Sequence, residues 1–443
     1  MKIHEKGIAE LFKEVTVFRR KSRKEVSEYL DFLLESQYWP LDKLKRYQWE
    51  KLKKILEYSY ENIPYYHELF QRKNIKPQDI QTPHDLHKIP ILTKSIIQEN
   101  IDDLVSNSID KSQIILNSTG GSTGTPLNFY QDQSFVDWAD AARTRAWKYF
   151  PGLEKDEFEA VLWGSERDIG KGLNLSRVLY YALREGNLNL NTFDLDSQLI
   201  KKYFLYFWFM KPRILRGYAS SLFYIAKFIE ENNIRINYPQ SIVSTAECLW
   251  PSMREKIEQV FNAKIYNSYG CREVSQIATE CEEHKGLHIV MENQYVEVID
   301  NDIIVTNLNN YAMPFIRYKI GDMAQGISEE PCACGRNSSR LIDLMGRDNE
   351  NIVLEDKKVI NAIFFQYLFF GNKSVEKFQV IYFKKVNKLQ IRLQLSSESE
   401  EILEIIRKKI YNNFKFNNIE IVKTREFVST PSGKFRFVFS MDE

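Results

Sequence analysis

Apolar residues recur at helical spacing between residues 23 and 75, with Leu52, Ile55, Leu56 and Tyr58 as examples and a break at Ile63-Pro64. This predicts a helical entry segment. Between 112 and 128 the pattern changes to an apolar run, Ile114-Ile115-Leu116, then a turn rich in Ser, Thr and Gly, then Leu127, Phe129 and Tyr130. That order reads as strand, loop, strand. From 215 to 345 short apolar segments such as Ser241-Ile242-Val243, Ile289-Val290 and Ile303-Ile304-Val305 alternate with helical stretches such as 251 to 261. An α/β core follows. After Gly346-Arg347 the chain restarts with a helix-like stretch, two strands around 377 to 395, a helix at 400 to 412 and a strand near 419 to 423. The domain boundary is placed there, giving a large α/β domain over 1–345 and a small α+β domain over 346–443. The most apolar run, Tyr203 to Met210, falls far short of the ~20 residues a bilayer-spanning helix needs. It reads as a buried helix, with docking against a membrane surface as the sharper alternative.

A length of 443 residues agrees with one large core and one smaller one. Lys and Arg number 61 against 60 Asp and Glu, so no charge excess drives binding to nucleic acid or anionic surfaces, and no nucleic-acid partner is expected. The N-terminus alternates charged and apolar residues and lacks the apolar core of a signal peptide. Five cysteines, with Cys332 and Cys334 too close together for an ordinary structural disulfide, point to the cytoplasm and open the question of metal binding.

Asn117-Ser118-Thr119-Gly120-Gly121-Ser122-Thr123-Gly124-Thr125-Pro126 packs three glycines and several hydroxyl side chains into one loop after a strand. Such a loop can wrap phosphates, because glycines let backbone N–H groups approach and hydroxyls add donors. It is not a Walker A loop, since no Gly-Lys-Ser/Thr ends it. A second segment, Tyr266-Asn267-Ser268-Tyr269-Gly270-Cys271-Arg272-Glu273, and a third, Phe315-Ile316-Arg317-Tyr318-Lys319-Ile320-Gly321-Asp322, each end in a carboxylate. A Glu can hold Mg²⁺, and an Asp can accept from two ribose hydroxyls. Gly346-Arg347-Asp348 and Thr430-Pro431-Ser432-Gly433-Lys434-Phe435-Arg436 complete the series.

The order of these five motifs resembles the adenylate-forming superfamily of acyl-CoA ligases and peptide-synthetase adenylation domains. More narrowly it is similar to the phenylacetate-CoA ligase-like group that includes capsular-polysaccharide (CapK-like) proteins. Asn62-Ile63-Pro64-Tyr65-Tyr66, Ile89-Pro90-Ile91-Leu92-Thr93-Lys94, Gly286-Leu287-His288 and Cys332-Ala333-Cys334-Gly335-Arg336 support the narrower likeness. The resemblance implies a large domain with mixed sheets and ATP and carboxylate sites, followed by a small mobile lid. It implies that Ser118, Thr119, Gly120, Gly121, Ser122, Thr123, Gly124 and Thr125 grip ATP phosphates. Ala246, Glu247, Asn267, Ser268 and Tyr269 would border adenine and the acyl pocket. Glu273 would hold Mg²⁺, Asp322 the ribose, and Arg347 the nucleotide near the hinge. Lys434 would bridge the carboxylate and the α-phosphate.

The implied reaction is activation of a carboxylic acid by ATP to an acyl-AMP, then transfer to an acceptor. CoA is the generic acceptor. An amine or hydroxyl, as in surface-polysaccharide or natural-product assembly, is the alternative, and a catalytically silent nucleotide-binding partner protein is a reading of another class. The chain departs from the wider family at Thr125, at Arg272, where Thr or Ser is usual, and at Asn349 and Asp356-Lys357-Lys358 around the hinge. Arg272 is expected to contact phosphate, because its planar fork can engage two oxygens. Cys281, His288, Cys332 and Cys334 offer four ligands for a closed structural zinc centre beside the Arg317 to Asp322 segment, with His284 as a substitute for His288. A homodimer is the common default for a soluble oligomer.

Overall fold

The computed structural model describes residues 24–119, 126–153, 157–163, 182, 187–192, 197–347, 352–354, 359–360, 365, 368–369, 375–395, 400–413, 416, 418–428 and 437–441. The chain divides into two compact units, Met1–Leu249 with Lys256–Met345, and Gly346–Glu443 with Trp250–Glu255.

In the first unit, α1 (Lys24–Ser36), α2 (Leu41–Asn62) and α3 (Pro64–Arg72) form the entry segment. Pro64 ends α2 because its ring forces Ile63 into extended backbone (φ −114°, ψ 110°), and it then opens α3 at a position where its missing N–H is no loss. Leu44, Leu52, Ile55 and Leu56 make the buried stripe of α2. A short helix, α4 (Lys94–Glu99), is capped by the Thr93 hydroxyl. Two strands, β1 (Ile115–Ser118) and β2 (Asn128–Gln131), pair antiparallel as a separate ribbon, and α5 (Gln133–Thr144) follows.

Among the described residues the main sheet has eleven strands. In chain order these are β3 (Glu159–Trp163), β4 (Asn187–Asn191), β5 (Ile214–Gly217), β6 (Ser241–Thr245), β7 (Lys264–Cys271), β8 (Ser275–Glu280), β9 (Leu287–Ile289), β10 (Gln294–Ile299), β11 (Asp302–Asn307), β12 (Tyr318–Ser328) and β13 (Arg340–Arg347). Their spatial order is β10-β11-β12-β13-β9-β8-β7-β6-β5-β3-β4. β4, β3, β5, β6 and β7 are parallel, so every link along the chain between them is a crossover, and helices α6 (Ser197–Met210), α7 (Ala219–Glu231) and α8 (Pro251–Phe261) fall in the links from β4 to β5, β5 to β6 and β6 to β7. β7, β8 and β9 then turn back as antiparallel neighbours. The expected α/β class with a mixed sheet is what the chain adopts.

In the second unit, β14 (Ile352–Val353) pairs with β15 (Val359–Ile360) where a helix-like stretch is expected. A four-stranded sheet follows, made of β16 (Val375–Phe383), β17 (Lys388–Leu395), β18 (Asn418–Lys423) and β19 (Val438–Met441) in the order β18-β17-β16-β19. Helix α9 (Glu400–Asn413) buries Leu403, Ile406 and Ile410, while Phe378, Val380, Leu389 and Ile391 are the buried positions of the sheet.

Candidate active site

Parallel strands bind ligands beyond their carboxyl ends, where the strand order reverses. Here the chain runs outward from β3 to β4 and returns to β5 on the other side of β3. Trp163, at the end of β3, and Tyr218, just after β5, bring their rings to 4.7 Å at that point. Gly217 leaves room for this packing, because a Cβ there would lie 2.8 Å from the Leu162 Cβ. Ala246 follows β6 in left-handed backbone (φ 65°), and Glu247 accepts from the Ser220 N–H at 2.9 Å in the first turn of α7. On β7, the Asn267 N–H donates to Glu280 Oε2 at 2.9 Å. The Ser268 hydroxyl accepts from Trp147 Nε1 at 3.0 Å and donates to Gln276 Oε1 at 3.1 Å. Ala246, Glu247, Asn267, Ser268 and Tyr269 therefore lie at the carboxyl ends of adjacent strands.

The second motif turns back as the β7–β8 hairpin. Gly270 is required there, since a Cβ would meet the Ser275 carbonyl oxygen at 2.4 Å. The turn presents Arg272 exposed and Glu273 half-buried. The third motif supplies the facing wall: the Tyr318 hydroxyl donates to Glu273 Oε1 at 3.3 Å, and the Tyr269 hydroxyl donates to Asp322 Oδ2 at 2.9 Å. The Cys271 thiol lies by both carboxylates, and burial, reinforced first by Glu273 and then by Asp322, pushes its ionisation well up. Two carboxylates far apart in the chain thus share one small region.

Residues distant in sequence hold that wall. Arg317, in left-handed backbone (φ 53°), is buried, pairs with Glu297 through two bonds of 3.0 Å, and donates to the carbonyls of Leu86 and Ile89 at 2.9 and 2.6 Å. Leu92 bridges the same strand, its N–H donating to the Arg317 carbonyl at 3.0 Å and its carbonyl accepting from the Lys319 N–H at 2.9 Å. The Tyr66 hydroxyl donates to the Pro314 carbonyl at 3.0 Å and accepts from the Ile316 N–H at 3.1 Å. The segments around Tyr66 and Leu92 are therefore scaffolding for the third motif. Sequence reasoning missed the contact of Tyr318 with Glu273, although Tyr318 stands inside the motif.

The stem of the glycine-rich loop reaches the same hairpin. Asn117 Nδ2 donates to Gln131 Oε1 at 3.2 Å, Gln131 Nε2 donates to the Arg272 carbonyl at 3.2 Å, and Arg272 Nη1 lies 3.5 Å from the Ser118 carbonyl. Thr119 closes the stem, its N–H donating to the Leu127 carbonyl and its hydroxyl accepting from the Leu127 N–H, both at 2.9 Å. Gly120, Gly121, Ser122, Thr123, Gly124, Thr125 and Lys434 lie outside the described residues, as do Asn349, Asp356-Lys357-Lys358 and the side chain of Arg347, which closes β13.

No family model matches the chain. Protein CapK of Staphylococcus aureus is 26% identical over 406 residues, covering 88% of each chain. Phenylacetate-coenzyme A ligase of Thermus thermophilus is 22% identical over 354 residues, covering 72% of this chain and 74% of that one. The fold matches that of 2-hydroxyisobutyryl-CoA ligase, solved in the postadenylation state in complex with 2-HIB-AMP, with TM-score 0.71, 17% identity and coverage of 91% and 90% of the two chains. The chain is thus similar over most of its length to CapK and to phenylacetate-coenzyme A ligases, and it shares the fold of a CoA ligase.

A second cluster lies beyond the far end of β12 from Asp322, and not beside the start of that strand. Cys281 follows β8, His288 is on β9, and Cys332 and Cys334 are in the loop from β12 to β13. Their ligand atoms all lie within 4.8 Å of one another. Cys281 Sγ is 3.6 Å from Cys332 Sγ, and Cys334 Sγ is 3.4 Å from His288 Nε2. A disulfide would need ~2.05 Å. His288 Nδ1 meets the Ser338 hydroxyl at 3.1 Å, which aims Nε2 at the sulfurs. Burial, together with the nearby Arg336 and Arg340 cations, pushes the imidazole down to about 3, so it is neutral, the state that ligates metal. His284 instead sits 3.3 Å from Glu280.

Proposed function

We propose that this chain uses ATP to activate a carboxylic acid as an acyl-AMP, releasing pyrophosphate, and then transfers the acyl group to CoA. The observation that carries the reading is the convergence of Glu273 and Asp322 on the β7–β8 hairpin, beside the stem of the phosphate loop. In this reading the substrate carboxylate attacks the α-phosphorus, a new oxygen–phosphorus bond forms, and the bond to pyrophosphate breaks. Residues 1–345 carry the ATP and carboxylate sites, and 346–443 act as the lid that delivers Lys434. Ser118 to Thr125 and Arg272 take the phosphates, Ala246, Glu247 and Asn267 to Tyr269 border adenine and acyl group, Asp322 takes the ribose, and Arg347 contacts the nucleotide near the hinge. Glu273 would hold Mg²⁺, which neutralises phosphate charge; its carboxylate suits a hard cation, and the Tyr318 bond occupies Oε1 and orients the group. Lys434 would offset the repulsion between two anions that must approach within bonding distance.

The donor set also supports a structural zinc ion on Cys281, His288, Cys332 and Cys334. A tetrahedral centre with Zn–S of about 2.3 Å and Zn–N of about 2.0 Å has edges of about 3.5 to 3.8 Å. The separations of 3.6 and 3.4 Å fit those edges. Five free thiols suit a reducing, cytoplasmic location.

The test is release of pyrophosphate across a panel of aliphatic and aromatic acids without acceptor, followed by product identification with CoA and with amines. Acid-dependent release and a thioester support the reading. Release with an amide or ester as the only product moves the acceptor to an amine or hydroxyl. No release, and no exchange of labelled pyrophosphate into ATP, would leave a silent nucleotide-binding protein.

A further inference from the structure

Gln198, Lys201, Lys202, Leu205, Trp208 and Phe209 are the exposed residues along α6. They recur every three to four residues and so form one stripe. The opposite face, Ile200, Tyr203, Tyr206, Phe207 and Met210, is buried, and Phe204 stacks on Phe228 of α7 at 6.2 Å. Trp208 is 71%, Leu205 67% and Phe209 49% exposed, so three large apolar side chains are gathered at the carboxyl end of the stripe. Single exposed apolar residues are ordinary; a group of three on one turn is not.

Lysines bracket this apolar end. Lys201 and Lys202 lie one turn before it, and Lys211 follows in left-handed backbone (φ 46°), its N–H closing the helix on the Phe207 carbonyl at 2.8 Å. Between Ser197 and Arg213 there are four basic residues and no acidic one, in a chain whose net charge is only +1. Arg213 pairs with Glu157 at 2.9 Å, and among the described residues of the helix and its C-terminal end Lys201, Lys202 and Lys211 carry the charge of the exposed face. Asp194 and Asp196, just upstream, lie outside the described residues.

We propose that the carboxyl end of α6 docks on an anionic lipid surface, with Leu205, Trp208 and Phe209 entering the boundary between headgroups and acyl chains. Lys201, Lys202 and Lys211 would then face lipid phosphates. Exposed aromatic and aliphatic side chains with lysines beside them combine apolar insertion with attraction to an anionic headgroup layer. Spanning is excluded for α6, which has 14 residues where ~20 are needed. A second copy of the chain fits the face less well, because an isologous contact would set lysines against lysines with no acid on the stripe to pair them. The proposal does not rest on the assigned activity.

The experiment is sedimentation of the full chain with vesicles of phosphatidylglycerol and phosphatidylcholine at about 1:2, and with phosphatidylcholine alone. The chain should pellet with the first and not the second, and added salt should weaken binding. W208S/F209S and K201E/K202E should each lower the bound-to-free ratio by ~10-fold or more, with unchanged thermal midpoints, since the side chains are exposed. Leu205→Gln is the milder variant if the double change lowers the midpoint. Absence of binding to anionic vesicles, or equal binding by W208S/F209S, overturns the proposal. So does a dimer by light scattering that W208S/F209S converts to monomer without any vesicle binding.

Discussion

Tyr318 bonds to Glu273, and Arg272 precedes Glu273 on the turn. Burial, and then the Glu273 charge itself, pushes the Tyr318 hydroxyl far up, so it stays protonated throughout the working pH range and can only donate to that carboxylate. Its bond therefore fixes the carboxylate without competing for its charge. Arg272 is exposed, with Nη1 3.5 Å from the Ser118 carbonyl. A planar fork in that place suits two phosphate oxygens, whereas lysine offers a point charge. Arg272→Lys is expected to raise the KM for ATP by about tenfold, the loss of one charge-assisted hydrogen bond, with an unchanged unfolding midpoint. Steady-state constants for ATP equal to those of the parent chain would remove Arg272 from the phosphate site.

Between elements, two buried groups act as ties. Cys281 after β8, His288 on β9 and the two thiols of the β12–β13 loop would clamp three segments through one ion. Cys332→Ser is expected to lower zinc content from about one per chain and to lower the thermal midpoint by about 5 °C or more, both together. Full stability in metal-free protein would end the zinc assignment. The second tie is Glu159 on β3, which lies between Arg216 of β5 at 3.2 Å and Lys148 at 3.4 Å. Burial raises its ionisation, but Lys148 and Arg216 outweigh that and hold it down to about 2. A folded pKa below the unfolded one gives stability that is present above about pH 4.5 and is lost as pH falls toward about 2. Glu159→Gln leaves two buried cations uncompensated and should destabilise by about 3 kcal/mol at neutral pH. Urea unfolding at several pH values should find that difference constant above about pH 5 and shrinking below about pH 4. A difference that stays flat into acid would mean that Glu159 is not held ionised.

At the scale of the whole chain, what periodicity and motif order carry was legible: the α/β class, the break at Pro64, the two strands flanking the glycine-rich loop, and α8 and α9. What depends on distant pairing was not. β19 joins β16 in parallel about sixty residues away, and Tyr66 bonds to Pro314 and Ile316, contacts that no local pattern contains. The run Tyr203 to Met210 read as buried because a helix that is apolar all round has no polar face to betray its exposed side, yet Leu205, Trp208 and Phe209 face solvent. Within the site, Glu273 and Asp322 stood out as motif carboxylates, and Tyr269 as a site residue, while Tyr318, which donates to Glu273, did not, since an aromatic in a strand is ordinarily core. The last test spans both units, because the proposed reaction needs Lys434 from the second at a site built in the first. If the lysine acts on charge that develops at the α-phosphate, its loss falls on the rate and not on ground-state binding. Lys434→Ala is expected to slow acyl-AMP formation by about 10²- to 10³-fold while changing ATP affinity far less. Transfer from preformed acyl-AMP should suffer less, because a mobile lid would carry the lysine away between the steps. Pre-steady-state pyrophosphate release and single-turnover transfer separate the two halves, and equal loss in ATP binding and in rate, or no loss in either, would take Lys434 out of the reaction.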